Sequence, residues 1–365
     1  MKNFLLIALA VLFFITCQSK NTTKGSPADF KIFKGTNVAH WLSQSEARGT
    51  KRDSFFQEKD VKIIKGLGFD HIRIPIDEEQ MWDEKGIRHA DAFKLMTNSI
   101  EWCIKHQLKV IVDLHILRSH HFNAKVKPLW TDPKEQDKFY ALWVDLSSAL
   151  KIYSVGDVAY ELMNEAVADD PEQWNNLVDK AVKTLRPLEP ERIIVIGSNM
   201  WQSANTFDVL KVPKDKNIIL SFHFYEPFFL THHHASWTSL RDYTGPVHYP
   251  GVMVTQAEFD AMAAPQQAIA KDQVGVEWNK DKLEKMMQLP LQKSKELGLQ
   301  VYCGEYGVIE GAPEADRIRW YNDMISVFNK NHIASANWNY KSGAFGMLIG
   351  DGRKNEPMIQ AVTRK

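Results

Sequence analysis

Cysteine is scarce: three residues in a chain of 365 cannot supply a disulfide framework, and no Cys-x-x-Cys pair or Cys/His cluster suggests a metal. Charge of one sign is not in excess either. The 45 Lys plus Arg balance the 45 Asp plus Glu, so nothing points to nucleic acid or another polyanionic partner. No Gly-x-Ser-x-Gly occurs, which argues against an esterase built on an activated serine. Internal repeats, Ser/Pro linkers and signs of a second domain are missing, and no apolar run spans a bilayer comfortably. What remains is the composition of a globular protein, 44% hydrophobic and 25% charged, with 11 Trp, 10 Tyr and 19 Phe. Any one of those rings is as well explained by core packing as by a ligand.

The first residues bear on the compartment. Met1-Lys2-Asn3 gives a positive start and Phe4 to Ile15 an apolar run of signal-peptide length. Thr16-Cys17 and a polar stretch from Gln18 to Pro27 follow. A cysteine at that junction resembles a bacterial lipoprotein site, where lipid is attached to the new N-terminal Cys. The expectation is export, with residues 1–16 as signal peptide, residues 17–29 as a polar tether after a lipidated Cys17, and periplasm or outer membrane as the destination. Plain signal-peptide cleavage and secretion is the alternative, because Phe14-Ile15-Thr16 matches the usual box loosely. Cys103 falls on a predicted helix and Cys303 on a predicted inner strand, so both are expected as buried free thiols.

From residue 30 to 365 strand and helix patterns alternate with short connections, which implies a parallel sheet covered by helices. Strand-like runs cover residues 32–37, 71–76, 109–115, 158–164, 192–197, 218–225, 300–304 and 335–339. Helix-period segments lie near 53–65, 91–106, 133–150, 171–188, 280–297 and 314–331, with short helices near Phe207 and Pro357. Several open on Asp or Pro and one closes at Gly298, as helix caps do. Eight strands, each followed by a helix, predict one α/β domain, a single (β/α)8 TIM barrel acting as a monomer. The longest interruption, Glu226 to Glu277, is rich in His and aromatics and is expected to be functional or to carry small elements of its own.

Barrel active sites collect at the C-terminal ends of the strands. Here strand two ends Arg73-Ile74-Pro75, strand three Asp113-Leu114-His115, strand four Asn164-Glu165, strand six His223-Phe224-Tyr225, strand seven Glu305-Tyr306 and strand eight Trp338. One polar strand end is weak evidence; five or six in one chain are hard to explain by packing. Glu165 and Glu305 face each other across the axis, and glycoside hydrolysis needs two such carboxyls, one to protonate the leaving oxygen and one to attack or to activate water. Exposed loop salt bridges are the plainer explanation of each.

The motifs His71-Ile-Arg73-Ile-Pro75, Val112-Asp-Leu-His115-Ile-Leu117, Tyr160-Glu-Leu-Met-Asn164-Glu165, Ser221-Phe-His223-Phe-Tyr225, Gly304-Glu305-Tyr-Gly307 and Asn337-Trp338-Asn-Tyr-Lys341 resemble those of glycoside hydrolase family 5, the cellulase family. It lies within the clan whose acid/base and nucleophile end strands four and seven. The resemblance covers essentially the whole chain from residue 30. It implies that Glu165 is the acid/base and Glu305 the nucleophile, with the pKa of Glu165 raised and that of Glu305 kept low. It further implies that Arg73 keeps Glu305 ionised, Tyr225 orients Glu305, and His223 orients Glu165. Asn164 would bond the sugar 2-hydroxyl, His115 would line the non-reducing-side subsite, and Trp338 would be the floor on which that sugar stacks. The implied reaction is retaining hydrolysis of β-linked glucan, polysaccharide or oligosaccharide, with no metal or organic cofactor required.

Plainer readings stand beside these. Arg73 fits a barrel-layer ion pair with Asp113, His115 and His223 fit core histidines, and Trp338 fits packing. Asp77, Glu78, Glu79 and Glu84 read as a solvated run, as do His120-His121. Thr231-His232-His233-His234 reads as a wall of the leaving-group subsites with Phe228, Phe229 and Trp237 rather than as a metal site. Trp41, Trp82, Trp130, Trp201 and Trp278 are candidates for further stacking. A sugar-binding barrel without activity, a transglycosylase, and a mannan-, β-1,3-glucan- or glycolipid-specific enzyme remain the alternatives.

Overall fold

The computed structural model describes residues 25–348 and 352–364; the expected signal segment, Cys17 and the first part of the tether lie outside the described residues. Eight strands form: β1 (Lys34–Asn37), β2 (His71–Asp77), β3 (Lys109–Ile116), β4 (Val158–Glu161), β5 (Ile194–Gly197), β6 (Ile218–Phe224), β7 (Gln300–Tyr306) and β8 (Ala334–Asn337). They close into a barrel in the order β1-β8-β7-β6-β5-β4-β3-β2, and every neighbouring pair is parallel. The predicted (β/α)8 fold is therefore the observed one. Eight helices cover most of the strands: α1 (Glu58–Gly66), α2 (Ala90–Lys105), α3 (Pro133–Leu150), α4 (Pro171–Leu185), α5 (Lys280–Met286), α6 (Gln288–Leu297), α7 (Glu314–Asn331) and α8 (Glu356–Thr363).

Strand geometry explains why these sequences close this way. Side chains alternate between faces along a strand. On β2, Ile72, Ile74 and Ile76 join the large cluster under the helices, as do Val110, Val112 and Leu114 on β3 and Ile218, Leu220 and Phe222 on β6. The intervening residues fill the barrel. Low in the barrel they are apolar: Ile111, Ala159, Val195, Ile219 and Tyr302 pack with Phe30 and Ile32, which precede β1. Higher up the same inward positions hold Arg73, Asp113 and Glu161, all without solvent exposure. The chain thus changes from oil to charge along one axis, and the charged end is where the strands finish.

Helix starts follow their caps. Asp132 and Asp170 accept the backbone N–H two residues on, each followed by a proline in the first turn, and Asn355 caps α8. Gly298 takes the left-handed conformation after α6, with φ of 65°. One expectation is corrected. The single helix expected over 280–297 is two, because Pro290 has no N–H and its ring clashes with the carbonyl four residues back, at Met286. The short helix expected near Phe207 is present as a 3-10 turn, Ala204–Thr206, which follows a left-handed turn at Met200, Trp201 and Gln202 after β5.

The long segment after β6 carries three short helices, Phe228–Thr231, Gln256–Ala261 and Ala264–Ala270, and a two-stranded antiparallel ribbon of Gly251–Val252 with Glu277–Trp278. Cys103 and Cys303 are buried free thiols. Among the described residues no helix is long and apolar enough to cross a membrane.

Phe30 closes the lower end of the barrel interior with 5% exposure. Phe30→Ala is expected to cost about 3 kcal/mol of unfolding free energy, in the range for a buried Phe truncated to Ala. Urea denaturation would read the loss, with the steady-state constants of the enzyme unchanged.

Candidate active site

Arg73 organises the upper barrel. Its guanidinium has five N–H donors, and all are used: Nε to Glu161 Oε2 at 2.6 Å, Nη1 to Glu305 Oε1 at 2.7 Å and to Asn37 Oδ1 at 3.0 Å, Nη2 to Glu161 Oε1 at 3.1 Å and to Asn164 Oδ1 at 2.9 Å. Asp113 Oδ2 also lies 3.0 Å from Nη2. The barrel-layer ion pair and the contact with Glu305 are thus one network rather than alternatives. Burial works against charge on Arg73, but Asp113, Glu161 and Glu305 outweigh it and hold its pKa well above the ordinary value.

Glu165 and Glu305 converge above this network. An oxygen of each carboxyl and a ring nitrogen of His223 all lie within 4.8 Å of one another. Tyr225 donates its hydroxyl to Glu305 Oε2 at 3.0 Å, and His223 Nδ1 lies 3.0 Å from Glu165 Oε1 and 3.6 Å from Glu305 Oε2. Burial raises the pKa of Glu165 far above the carboxylate range, and the charge of Glu305 raises it further. The expectation that Glu305 stays low is corrected in part. Burial raises it too, while Arg73 and the Tyr225 hydroxyl oppose the rise. The pair therefore holds its proton on Glu165, where no guanidinium is in contact. Burial, with Arg73 and His115 adding to it, pushes His223 well below its ordinary value, so its ring is neutral.

The loop after β4 is held by a residue that the sequence did not single out. Gln202 accepts from the Glu165 backbone N–H at 2.8 Å and donates to Glu161 at 3.2 Å and Ser221 at 3.0 Å. It reaches the barrel interior over Gly197, where an added Cβ would come within 2.3 Å of its Cγ. Glu161, Asp113 and Asn37 were likewise not placed at the site by sequence reading. Their signal was parity, since each sits on the inward face of a strand.

His115 donates through one nitrogen and accepts through the other. Its Nε2 lies 3.1 Å from the amide nitrogen of Gln44, which can only donate, so Nδ1 carries the proton to Asp113 Oδ2 at 2.6 Å. Burial pushes His115 down to about 3 and Asp113 up to about 7, the latter against the pull of Arg73. The ring stacks on Trp338, with centroids 5.7 Å apart and planes 9° from parallel. Asn164 spends its oxygen on Arg73 and leaves its buried Nδ2 without a protein partner beside the two glutamates.

A cleft of about 1080 Å³ covers these groups, lined by His115, Asn164, Glu165, His223, Tyr225, Glu305 and Trp338. Arg73 lies beneath, so all eight predicted site residues meet at one end of the barrel. Phe228, His232 and Trp237 from the long segment form a wall, with His232 stacked on Phe228 at 4.1 Å. Phe229 does not join them; it is buried against Tyr243. The next two histidines are not part of this wall: their rings lie 3.9 Å from each other, His233 packs on Tyr243 and His234 bonds the Arg241 carbonyl. Of the five tryptophans considered for stacking only Trp201 lines this cleft; Trp41, Trp82, Trp130 and Trp278 are buried. Nor is the acidic run fully solvated. Asp77 holds the Gln44 backbone at 2.7 Å, and buried Glu78 pairs with Arg118 and Lys138. His120, too, is buried, where it accepts from the Val167 N–H at 3.2 Å.

A closed parallel barrel with two paired glutamates at the C-terminal ends of its strands is the architecture of a barrel glycoside hydrolase. Residues 30–344 match the cellulase family, glycosyl hydrolase family 5, and the chain belongs to that family. It is 33% identical over 337 residues to endoglucanase C of Acetivibrio thermocellus, covering 91% of this chain and 98% of the relative. It is 30% identical to cellodextrinase A of Ruminococcus flavefaciens, covering 83% and 84%. Its fold is similar to that of endoglucanase Cel5A of Thermotoga maritima, with a TM-score of 0.74, 25% identity and coverage of 93% of this chain and 100% of the other.

Two outcomes follow from the charges. Arg73→Lys keeps a positive charge but not the five-donor fork, and should lower kcat by about a hundredfold or more in steady-state assays. Glu305→Gln removes the like charge that helps raise Glu165, so the Glu165 pKa, read by carbon NMR of labelled Glu, should fall.

Proposed function

We propose that the protein hydrolyses internal β-linked glucan bonds by double displacement, with retention at the anomeric carbon. The observation that carries the reading is the spacing of the two carboxyls. Retaining glycosidases hold them roughly 5 Å apart and inverting ones about 6.5–9.5 Å, and here oxygens of Glu165 and Glu305 lie within 4.8 Å. Glu305, ionised beside Arg73, attacks the anomeric carbon. Protonated Glu165 gives its proton to the departing oxygen, then takes one from the water that releases the sugar. Neutral His223, with its proton on Nδ1, donates to Glu165 Oε1 and leaves Oε2 for the leaving group. Asn164 Nδ2 is free to bond the sugar 2-hydroxyl, and Trp338 offers its face to the sugar before the cut. The endoglucanase and cellodextrinase named above support β-glucan as the substrate class.

Acid and alkali should each stop the reaction. As pH falls Glu305 gains a proton and loses its nucleophilicity; as pH rises Glu165 loses the proton it must give. Because burial raises both groups, the acid limb of kcat/KM should stand above the ordinary carboxylate value near 4.3.

The N-terminal pattern supports export and anchoring through a lipid on Cys17, with the barrel acting as a monomer on soluble chains that reach the cell surface.

The test is hydrolysis of carboxymethylcellulose, barley β-glucan, laminarin, xyloglucan and glucomannan by the mature protein. Cleavage of a β-1,4-containing glucan is expected. Glu165→Ala should lower kcat/KM about 10²–10⁴-fold, and Glu305→Ala should abolish turnover. Binding without cleavage by the unaltered protein would replace this reading with a sugar-binding barrel.

A further inference from the structure

A second cavity, of about 650 Å³, adjoins the cleft. The two share His40, Gln44 and Gly343 as walls. Gln44 bonds His115, and His115 stacks on Trp338, so a sugar chain crossing Trp338 meets this annex next. The walls are unlike those of the cleft. Arg48, Lys51 and Arg52 line it, with Glu46 as its one carboxylate and the half-buried ring of Phe55. Arg52 is already engaged: it lies on the floor with 2% exposure, paired with Asp91 and Gln80. Arg48 and Lys51 are exposed and form no ion pair among the described residues. Arg48 spends only Nη1, on the carbonyls of Ser45 and Ala47 at 3.2 and 3.0 Å, which leaves the Nε and Nη2 edge for a carboxylate fork.

We propose that the annex is a subsite for a carboxylate-bearing sugar, held by Arg48 and Lys51 beyond the unit on Trp338. The inference rests on the glucan reading above and deepens it: the preferred chain is a β-glucan carrying a carboxylated unit some residues on the non-reducing side of the cut. A neutral glucose there would leave two cations without a partner, whereas a carboxylate would meet both. The cations sit at the mouth rather than in the core, so their attraction is screened by salt. Gln44 marks the border, its backbone fixed by Asp77 and its side chain by His115.

The test compares cellopentaose with cellopentaose carboxylated at C6 of its non-reducing end, bound to the Glu305→Ala protein, which lacks the nucleophile and turns neither over, and read by calorimetry. The carboxylated sugar should bind roughly threefold to tenfold more tightly. Adding Arg48→Ala and Lys51→Ala should erase that gain and leave cellopentaose binding unchanged, and 0.5 M salt should do the same, since the Debye length then falls well below ~10 Å. Equal binding of the two sugars, or a gain that survives the double substitution, would overturn the subsite while leaving the glucan reading intact. Failure of both sugars to bind would overturn the glucan reading and the subsite together.

Discussion

A single buried guanidinium holds the upper half of this barrel together. Arg73 has no solvent exposure, yet each of its five N–H groups meets an oxygen. A buried charge without partners costs several kcal/mol, comparable with much of a domain's net stability of about 5–15 kcal/mol. The cation therefore requires its carboxylates, and the carboxylates require the cation. Asn37 from β1, Asp113 from β3, Glu161 from β4 and Glu305 from β7 are drawn to one point, so closure of the barrel and assembly of the site are one event.

The same contact divides the labour of two chemically identical side chains. Glu305 touches Arg73 and Tyr225, whereas Glu165 touches neither and faces a histidine kept neutral by burial. Both carboxyls are desolvated; only one has a cation at 2.7 Å. That asymmetry is set below the cleft, in the barrel, before any substrate arrives. Register shifts in the ladders at Phe222/His223 and at Ser335/Asn337 then turn the strand ends so that His223, Glu305 and Trp338 face the same opening.

Much of this was legible in the sequence, for a physical reason. Strand alternation and the polar residue ending each apolar run are local properties, so β2, β3, β6 and β7 could be read with the residues they deliver. Asp113 was read as a barrel-layer partner of Arg73, and it lies 3.0 Å from that guanidinium. Glu161 has the same parity as Asp113 but sits beside Asn164-Glu165, which drew the attention. Gln202 was illegible, since it works from a left-handed turn with no periodicity and depends on the space above Gly197. Ring counts could not say which tryptophans face sugar: Trp82 is buried and spends its indole N–H on Asp145, while Trp201 is exposed by the same turn that places Gln202. The acidic run from Asp77 misled because its partners, Gln44, Arg118 and Lys138, are distant in the chain.

The central claim is that Glu305, ionised by Arg73, forms a bond to the sugar while Glu165 supplies the proton. Trapping with a 2-deoxy-2-fluoro-β-cellobioside carrying a good leaving group tests it most directly, because the fluorine slows release of the glycosyl-enzyme more than its formation. Mass spectrometry of the digested protein should find one sugar adduct, on the peptide carrying Glu305. An adduct on another residue, or no adduct together with an α-configured first product from the natural substrate, would contradict the account.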